Sequence, residues 1–433
     1  MTFAENLPER KRKRYKNYAI GACLCGCVSE VIVDTSAIII LYMTCLQAQP
    51  SMTMFATSMT PIASLLLLIP FAGITDRIGV RMVTFLSCVV ACISFFSIGA
   101  APFVFNHSVS SILVVIGLFV YGVTRPLYTA AWYPLIDNFL IPDERAGFFG
   151  KMRCIYNLTN ACLIFGVGQL MVRFHAPLWL LQITLCAAGL LQLGRYYFMS
   201  RMPVSPDTRK KEKFQFLVAL KTSMKNFPLI GFSIYLCFMM VATSSVVPLS
   251  FIYMKESLRL PDSDVLLITA VMMLGSISGF GISGRMIRWI GAKGTILLIH
   301  SGFLLVTLSL LLTAVLTGHT AIMALYLAAF FVNGVLGGFW SVINSSEMLA
   351  LARPGNRVMA MAVCQTFSFI GISVSRFSST FVLGVGLLTP SWPLWSISMR
   401  SYQACLLFAV AAILFSAVLL LLVPAVNPDP DKA

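Results

Sequence analysis

Twelve stretches of about 20 or more predominantly apolar residues follow one another along this 433-residue chain, each closed by a charged or Pro/Gly-rich break. They cover approximately residues 18–46, 51–72, 82–101, 110–136, 148–172, 179–199, 227–254, 264–283, 295–317, 321–346, 358–385 and 401–425. Runs of this length cross a hydrocarbon layer of about 30 Å as helices, whereas barrel strands would alternate over about 10 residues. The expected fold is an all-α integral membrane protein with 12 transmembrane helices. Composition agrees: 58% of residues are hydrophobic and 11% charged, against about 25% charged in soluble domains.

Orientation follows from where the cations fall, because Lys and Arg in short loops resist translocation. With the N-terminus inside, 25 of the 31 Lys and Arg lie in cytoplasmic segments, so both termini are expected in the cytoplasm. "ERKRKRYK" at 9–16 and "RKKEK" at 209–213 flank helices at the inner leaflet, where anionic lipid attracts them. The net charge of +15 therefore points to topology and membrane lipids and away from nucleic acid. The first helix serves as its own insertion signal, and the short loops suggest a bacterial inner membrane. The 12 cysteines sit mostly inside helices without metal-ligand spacing and read as buried free thiols. No nucleotide loop, catalytic triad or metal cluster is found, so no cofactor and no enzymatic activity are expected.

Six apolar runs precede the polar stretch 200–226 and six follow it. One offset of 212 residues aligns three separate places. "YGVTRPLY" at 121–128 lies opposite "NGVLGGFW" at 333–340, "PDER" at 142–145 opposite "PGNR" at 354–357, and Gly79 and Arg81 opposite Gly291 and Lys293. The organisation expected is a basic N-terminus (1–17), a six-helix bundle (18–199), a cytoplasmic linker (200–226), a second six-helix bundle (227–425) and a tail (426–433). Parallel repeats of six helices are a known transporter architecture with the solute near the midplane.

"GITDRIGVR" at 73–81, between runs two and three, resembles the signature of the major facilitator superfamily, Gly-x-x-x-Asp-Arg-x-Gly-x-Arg/Lys, with one residue fewer after the first Gly. "PDERAGFFGKM", entering the fifth helix, is also similar to that superfamily. The Gly-x-x-x-Gly-Pro pattern of many proton antiporters is missing from "YNLTNACLIFGVGQL", and the usual helix-four Arg is missing from "VIGLFVYG". The resemblance implies two six-helix halves rocking about a central cavity lined by helices 1, 4, 7 and 10. It also implies a cytoplasmic gate built from Gly73, Asp76, Arg77, Gly79 and Arg81, with Arg145, Arg288 and Arg357 nearby. Without the resemblance, Asp76 reads as a cap on the third helix and the glycines as turn formers.

Four ionisable residues fall deep inside predicted helices: Glu30, Asp34, Arg125 and Arg376. Each would cost about 2.5–3.5 kcal/mol facing lipid, so interior positions and partners are expected. Glu30 and Asp34 share a helix face. Equal depth predicts a Glu30–Arg125 pair and permits an Asp34–Arg376 pair. At the repeat-related positions stand Ala242, Val246, Gly337 and Ile164, so the shared fold does not require these charges.

Tyr128, Trp132, Phe339 and Trp340 can wall a solute or simply pack helices. Asn333, Gln365 and Asn344 are further polar candidates. The function expected is a monomeric, proton-coupled secondary transporter of a small organic solute, with the paired Arg favouring an anionic group. An uncoupled facilitator and a transporter-like sensor or membrane assembly partner are the alternatives.

Overall fold

The structure, a computed structural model, describes residues 7–71, 74, 78–141, 144–174, 177–204, 216–316, 318–352, 357–385, 392–394 and 397–422. The first half comprises α1 (Glu9–Asp34), α2 (Ile38–Cys45), α3 (Pro50–Phe71), α4 (Val80–Val104), α5 (His107–Asp137), α6 (Arg145–Phe174) and α7 (Pro177–Ser200). The second comprises α8 (Phe216–Met224), α9 (Phe227–Thr243), α10 (Val246–Glu256), α11 (Asp262–Leu311), α12 (His319–Leu351), α13 (Arg357–Val385) and α14 (Ser401–Leu422). The exception to helix is an antiparallel pair before α14, β1 (Trp392–Leu394) and β2 (Ile397–Met399), with Trp392 opposite Met399.

Among the described residues, eleven helical segments are long and apolar enough to cross a membrane. One of them, 262–314, has 53 residues. A straight helix of that length would run about 80 Å, more than twice the hydrocarbon thickness. Gly291 breaks it, with φ 72° and ψ 174°. Gly79, its partner at the 212-residue offset, takes φ 85° immediately before α4. A side chain at either position would be strained, so the repeat read from the sequence recurs as one backbone turn used twice.

Two expected single spans are broken. The first run, 18–46, divides after Asp34 into α1 and α2, and its basic lead forms the opening turns of α1. The seventh divides at Ser244 and Ser245 into α9 and α10. Both breaks interrupt apolar runs, where freed carbonyls must find donors within the protein. Ser36 supplies one, its Oγ donating to the Ile32 carbonyl at 3.1 Å.

The helices of each half pack closely: α4 on α5 and α7, α3 on α5, α1 on α7, then α11 on α12 and α9 on α13. The halves meet along two seams, α3 against α13 and α6 against α11. We call the end carrying the first turn of α1 proximal. At the distal end α2 touches α10, and Ile38 to Met43 together with Leu249, Phe251, Ile252 and Met254 are buried there. Apolar side chains of both halves thus meet at the distal end.

Small residues set the tightest contact, that of α11 with α12, as expected where helices pack in lipid without a hydrophobic driving force. A Cβ at Gly275 would stand 2.2 Å from the Phe331 carbonyl oxygen, and one at Gly334 would stand 2.0 Å from that of Met272. Gly281 has open space instead. Gly334→Val should therefore lower the thermal unfolding temperature of the purified protein by the equivalent of at least about 1–3 kcal/mol. Gly281→Val should leave it unchanged, and equal effects of the two would contradict this packing.

Candidate functional site

Asp34 is the last residue of α1. A carboxylate at a helix C-terminus meets the negative end of the helix dipole and requires a cation. Arg125 of α5 supplies it, Nη1 donating to Asp34 Oδ2. One turn earlier on α1, Glu30 Oε1 accepts from Arg195 Nη2 of α7 at 2.9 Å.

The pairing expected from depth alone is corrected on both counts. Glu30 pairs with Arg195 rather than Arg125, and Asp34 pairs with Arg125 rather than Arg376. The reason lies in packing: α7 runs against α1 and brings a fifth membrane charge that the sequence reading assigned to the cytoplasmic end of the sixth span. Arg195 is only 4% exposed. Gly26, one turn before Glu30, makes room for it, since a Cβ there would lie 2.1 Å from Arg195 Cζ. The guanidinium also covers the Tyr128 ring, with Cζ 3.2 Å from the ring centroid. Arg195 is thereby held between bare helix backbone, an aromatic face and a carboxylate.

Beside this pair is a void inside the first half, lined by Glu30, Tyr121, Arg125, Tyr128, Gln192 and Arg195, with Ser87, Cys88 and Thr124. Tyr121 Oη, Gln192 Nε2 and Arg195 Nε are buried there without a hydrogen-bond partner. Neither Tyr121 nor Gln192 was singled out from the sequence. The only signal for them was a helical one: Tyr121 lies one turn before Arg125, and Gln192 three residues before Arg195.

Arg376 has a different task. Proline lacks an amide hydrogen, so Pro61 leaves the Thr57 carbonyl of α3 without its helical donor, while Ser244 ends α9 at the break before α10 and presents a carbonyl outside both helices. Arg376 of α13 serves both: Nη1 donates to the Thr57 oxygen and Nε to the Ser244 oxygen at 3.4 Å. Since α3 and α13 belong to opposite halves, this one guanidinium ties them together. Asp34, Thr57, Pro248 and Arg376 line a second small void at that seam.

The remaining candidates are placed as follows. Trp132 is buried beside Tyr128, ring centroids 5.5 Å apart, in an apolar cluster formed with α1, α6 and α7. Phe339 and Trp340 are buried in the main core, Trp340 lying 6.3 Å from Tyr235. Asn333 Nδ2 points to Met272 Sδ of α11 at 3.6 Å, and Gln365 Nε2 to Met348 Sδ at 3.9 Å. His300, which reads in the sequence as isolated, is buried between Tyr235 Oη at 3.3 Å and Ser416 Oγ at 3.2 Å.

Of the gate residues, Gly73, Asp76 and Arg77 lie outside the described residues, as do the side chains of Arg145 and Arg357. Arg81 and Arg288 are exposed and make no ion pair with a described residue. Next to Arg145, Glu144 pairs with Lys16 of α1 at 2.8 Å, and the ammonium holds its carboxyl below the usual carboxylate range.

A bundle of long apolar helices with ion pairs between them is the setting in which the family assignment is made. The chain belongs to the Major Facilitator Superfamily, whose sequence profile it matches over residues 20–375. It is a multi-pass integral membrane protein and a secondary transporter, not an enzyme. Among solved structures it is similar to a mutant form of the nucleoside transporter NupG at 13% identity, TM-score 0.70, over 94% of this chain and 99% of that one. It is likewise similar to the inward-open xylose transporter XylE from E. coli, at 16% identity, TM-score 0.67, over 93% and 95%. A bacterial homologue of the iron transporter ferroportin in its inward-facing state follows at 15% identity, TM-score 0.67, over 94% and 98%. At such identities the likeness establishes the fold. No curated protein matches the chain in sequence.

Breaking a buried pair by removing one partner costs about 3–5 kcal/mol. Arg195→Ala should destabilise the protein by that amount in thermal unfolding, and Arg195→Met with Glu30→Gln should cost less than the sum of the single changes. Arg376→Leu should also destabilise. Its cost should shrink in a Pro61→Ala background, where the restored amide serves the Thr57 carbonyl; an unchanged cost would contradict the assigned role.

Proposed function

We propose that this chain moves a small organic solute across the membrane by alternating access, with proton movement coupled to it through Glu30 and Asp34. The observation that carries the reading is the pair of carboxylate–guanidinium contacts side by side in the membrane interior, Glu30 with Arg195 and Asp34 with Arg125. In this reading the halves are the bundles 18–199 and 227–425, the segment divided at Gly291 crosses twice, and the crossings number twelve. Both termini would lie in the cytoplasm of a bacterial cell, and one copy would suffice.

A guanidinium beside a carboxylate keeps it ionised, and removing that cation favours proton uptake. Solute that draws Arg195 away from Glu30, or Arg125 away from Asp34, would therefore load a proton at the same moment. Each exchange needs a difference of only a few kcal/mol between states, within reach of one solute's differential binding. The Arg376 contact to Thr57 would form one tie of the closed distal side and would break when that side opens. Tyr128 and the void beside it would meet the solute. The gate loop 73–81 with Arg145, Arg288 and Arg357 would close the proximal side in the opposite state.

The test is uptake into proteoliposomes from a panel of radiolabelled nucleosides, pentoses and organic acids, with and without an inward proton gradient. The wild-type protein should accumulate one of these classes only with the gradient. The Glu30→Gln, Asp34→Asn double variant should still exchange that solute while losing gradient-driven accumulation and the pH dependence of its rate. Normal pH dependence in the double variant would overturn the coupling and leave a facilitator.

A further inference from the structure

We propose that the proximal mouth of the α1–α7 seam is a headgroup site for one anionic phospholipid, its phosphate held between Arg14 of α1 and Arg201 just past the end of α7. The two helices pack against each other, and their closest contacts fix the register. A Cβ at Gly21 would stand 3.1 Å from the Phe198 ring, and one at Gly194 would stand 3.2 Å from Cys25 Sγ. Cys25, Gly21, Tyr18 and Arg14 follow at helical spacing on α1, as do Gly194, Phe198 and Arg201 along α7. The numbers run in opposite directions, so the helices are antiparallel, and one further step of the same register sets Arg201 opposite Tyr18 with Arg14 a turn beyond.

The Tyr18 hydroxyl is where the two cations meet. Arg14 Nε donates to it at 2.7 Å, and Arg201 reaches the same hydroxyl. Each guanidinium is braced by a ring: Arg14 Cζ lies 5.4 Å from the Tyr18 centroid and Arg201 Cζ 4.3 Å from that of Tyr197. Among the described residues neither has a carboxylate partner. Two like charges held toward one point repel each other, and an anion between them turns that repulsion into two attractions.

The surroundings select the anion. Leu190, Leu193, Tyr197 and Arg201 fall at i, i+3, i+7 and i+11, one stripe along α7. The first three are 57%, 41% and 49% exposed. Exposed apolar side chains that lead along a helix to a guanidinium fit an acyl chain beneath a phosphate, whereas a free ion has no use for them. Tyrosines belong at headgroup level, and a guanidinium forks onto phosphate oxygens. A lipid of net negative charge is favoured over one whose own choline neutralises its phosphate. This is narrower than the attraction of a basic segment to an anionic leaflet, which counts every Lys and Arg alike. The seam singles out Arg14 and Arg201 and leaves the exposed Lys13, on another face of α1, outside the site.

Thermal unfolding of the purified full-length protein in a neutral maltoside detergent reads this site without requiring transport. Phosphatidylglycerol, phosphatidylcholine and inorganic phosphate are titrated in turn at fixed ionic strength. Phosphatidylglycerol alone should stabilise in a saturable manner. Its half-saturating concentration should rise at least fivefold in Arg14→Gln and in Arg201→Gln and stay unchanged in Lys13→Gln. The quantity read is the midpoint of a lipid titration, so a variant that starts from a lower unfolding temperature still reports on binding. Equal stabilisation by phosphatidylcholine would assign the effect to acyl chains, and equal stabilisation by inorganic phosphate would assign it to a free ion. An equal rise in Lys13→Gln would assign it to leaflet-wide attraction. Each of these results overturns the site, as does the lack of any saturable response to phosphatidylglycerol.

Discussion

Inside hydrocarbon, a polar group has only the protein to turn to, and this constraint organises the middle of the molecule. The first and seventh apolar runs are each divided into two helices, and Pro61 strips one carbonyl of α3 of its helical donor. The charges then fall into place as answers to those defects. Arg376 takes the carbonyls of Thr57 and Ser244, and Arg125 takes the carboxylate that ends α1. What looks in the sequence like a scatter of costly charges is, in the fold, a set of donors supplied where backbone or carboxylate oxygens would otherwise be bare.

One turn recurs along the chain while the interior chemistry around it does not. The turn at Gly79 and Gly291 recurs at the same offset with the same sign of φ. The interior differs. In the first half α1, α5 and α7 meet through Glu30, Tyr128 and Arg195, all charged or stacked on charge. In the second, α9, α11 and α14 meet through Tyr235, His300 and Ser416, a chain of hydrogen bonds without an ion pair among the described residues. A neutral network locks helices together with little electrostatic consequence, whereas ion pairs respond to any added charge.

Legibility in the sequence followed the range of the interactions concerned. The helices, the duplication and the residues Glu30, Asp34, Arg125 and Arg376 could be read because hydropathy, a constant offset and isolated charge are properties of the chain alone. Arg195 could not, since four residues from the edge of a run a charge reads equally well as loop or interior. Only the packing of α7 on α1, with Gly26 opened beneath it, distinguishes the two. Depth along a helix likewise suggested Glu30 opposite Arg125, because depth carries no information about rotation around the helix axis.

By itself, then, the sequence determined that this chain is a helical membrane protein carrying ionisable groups among its helices, since the length and polarity of each segment decide what a bilayer will accept. The tertiary structure alone decided which charges touch and that Arg376 serves carbonyls rather than a carboxylate. Those outcomes depend on the rotation and contact of helices far apart in the chain, and no local pattern of residues encodes them.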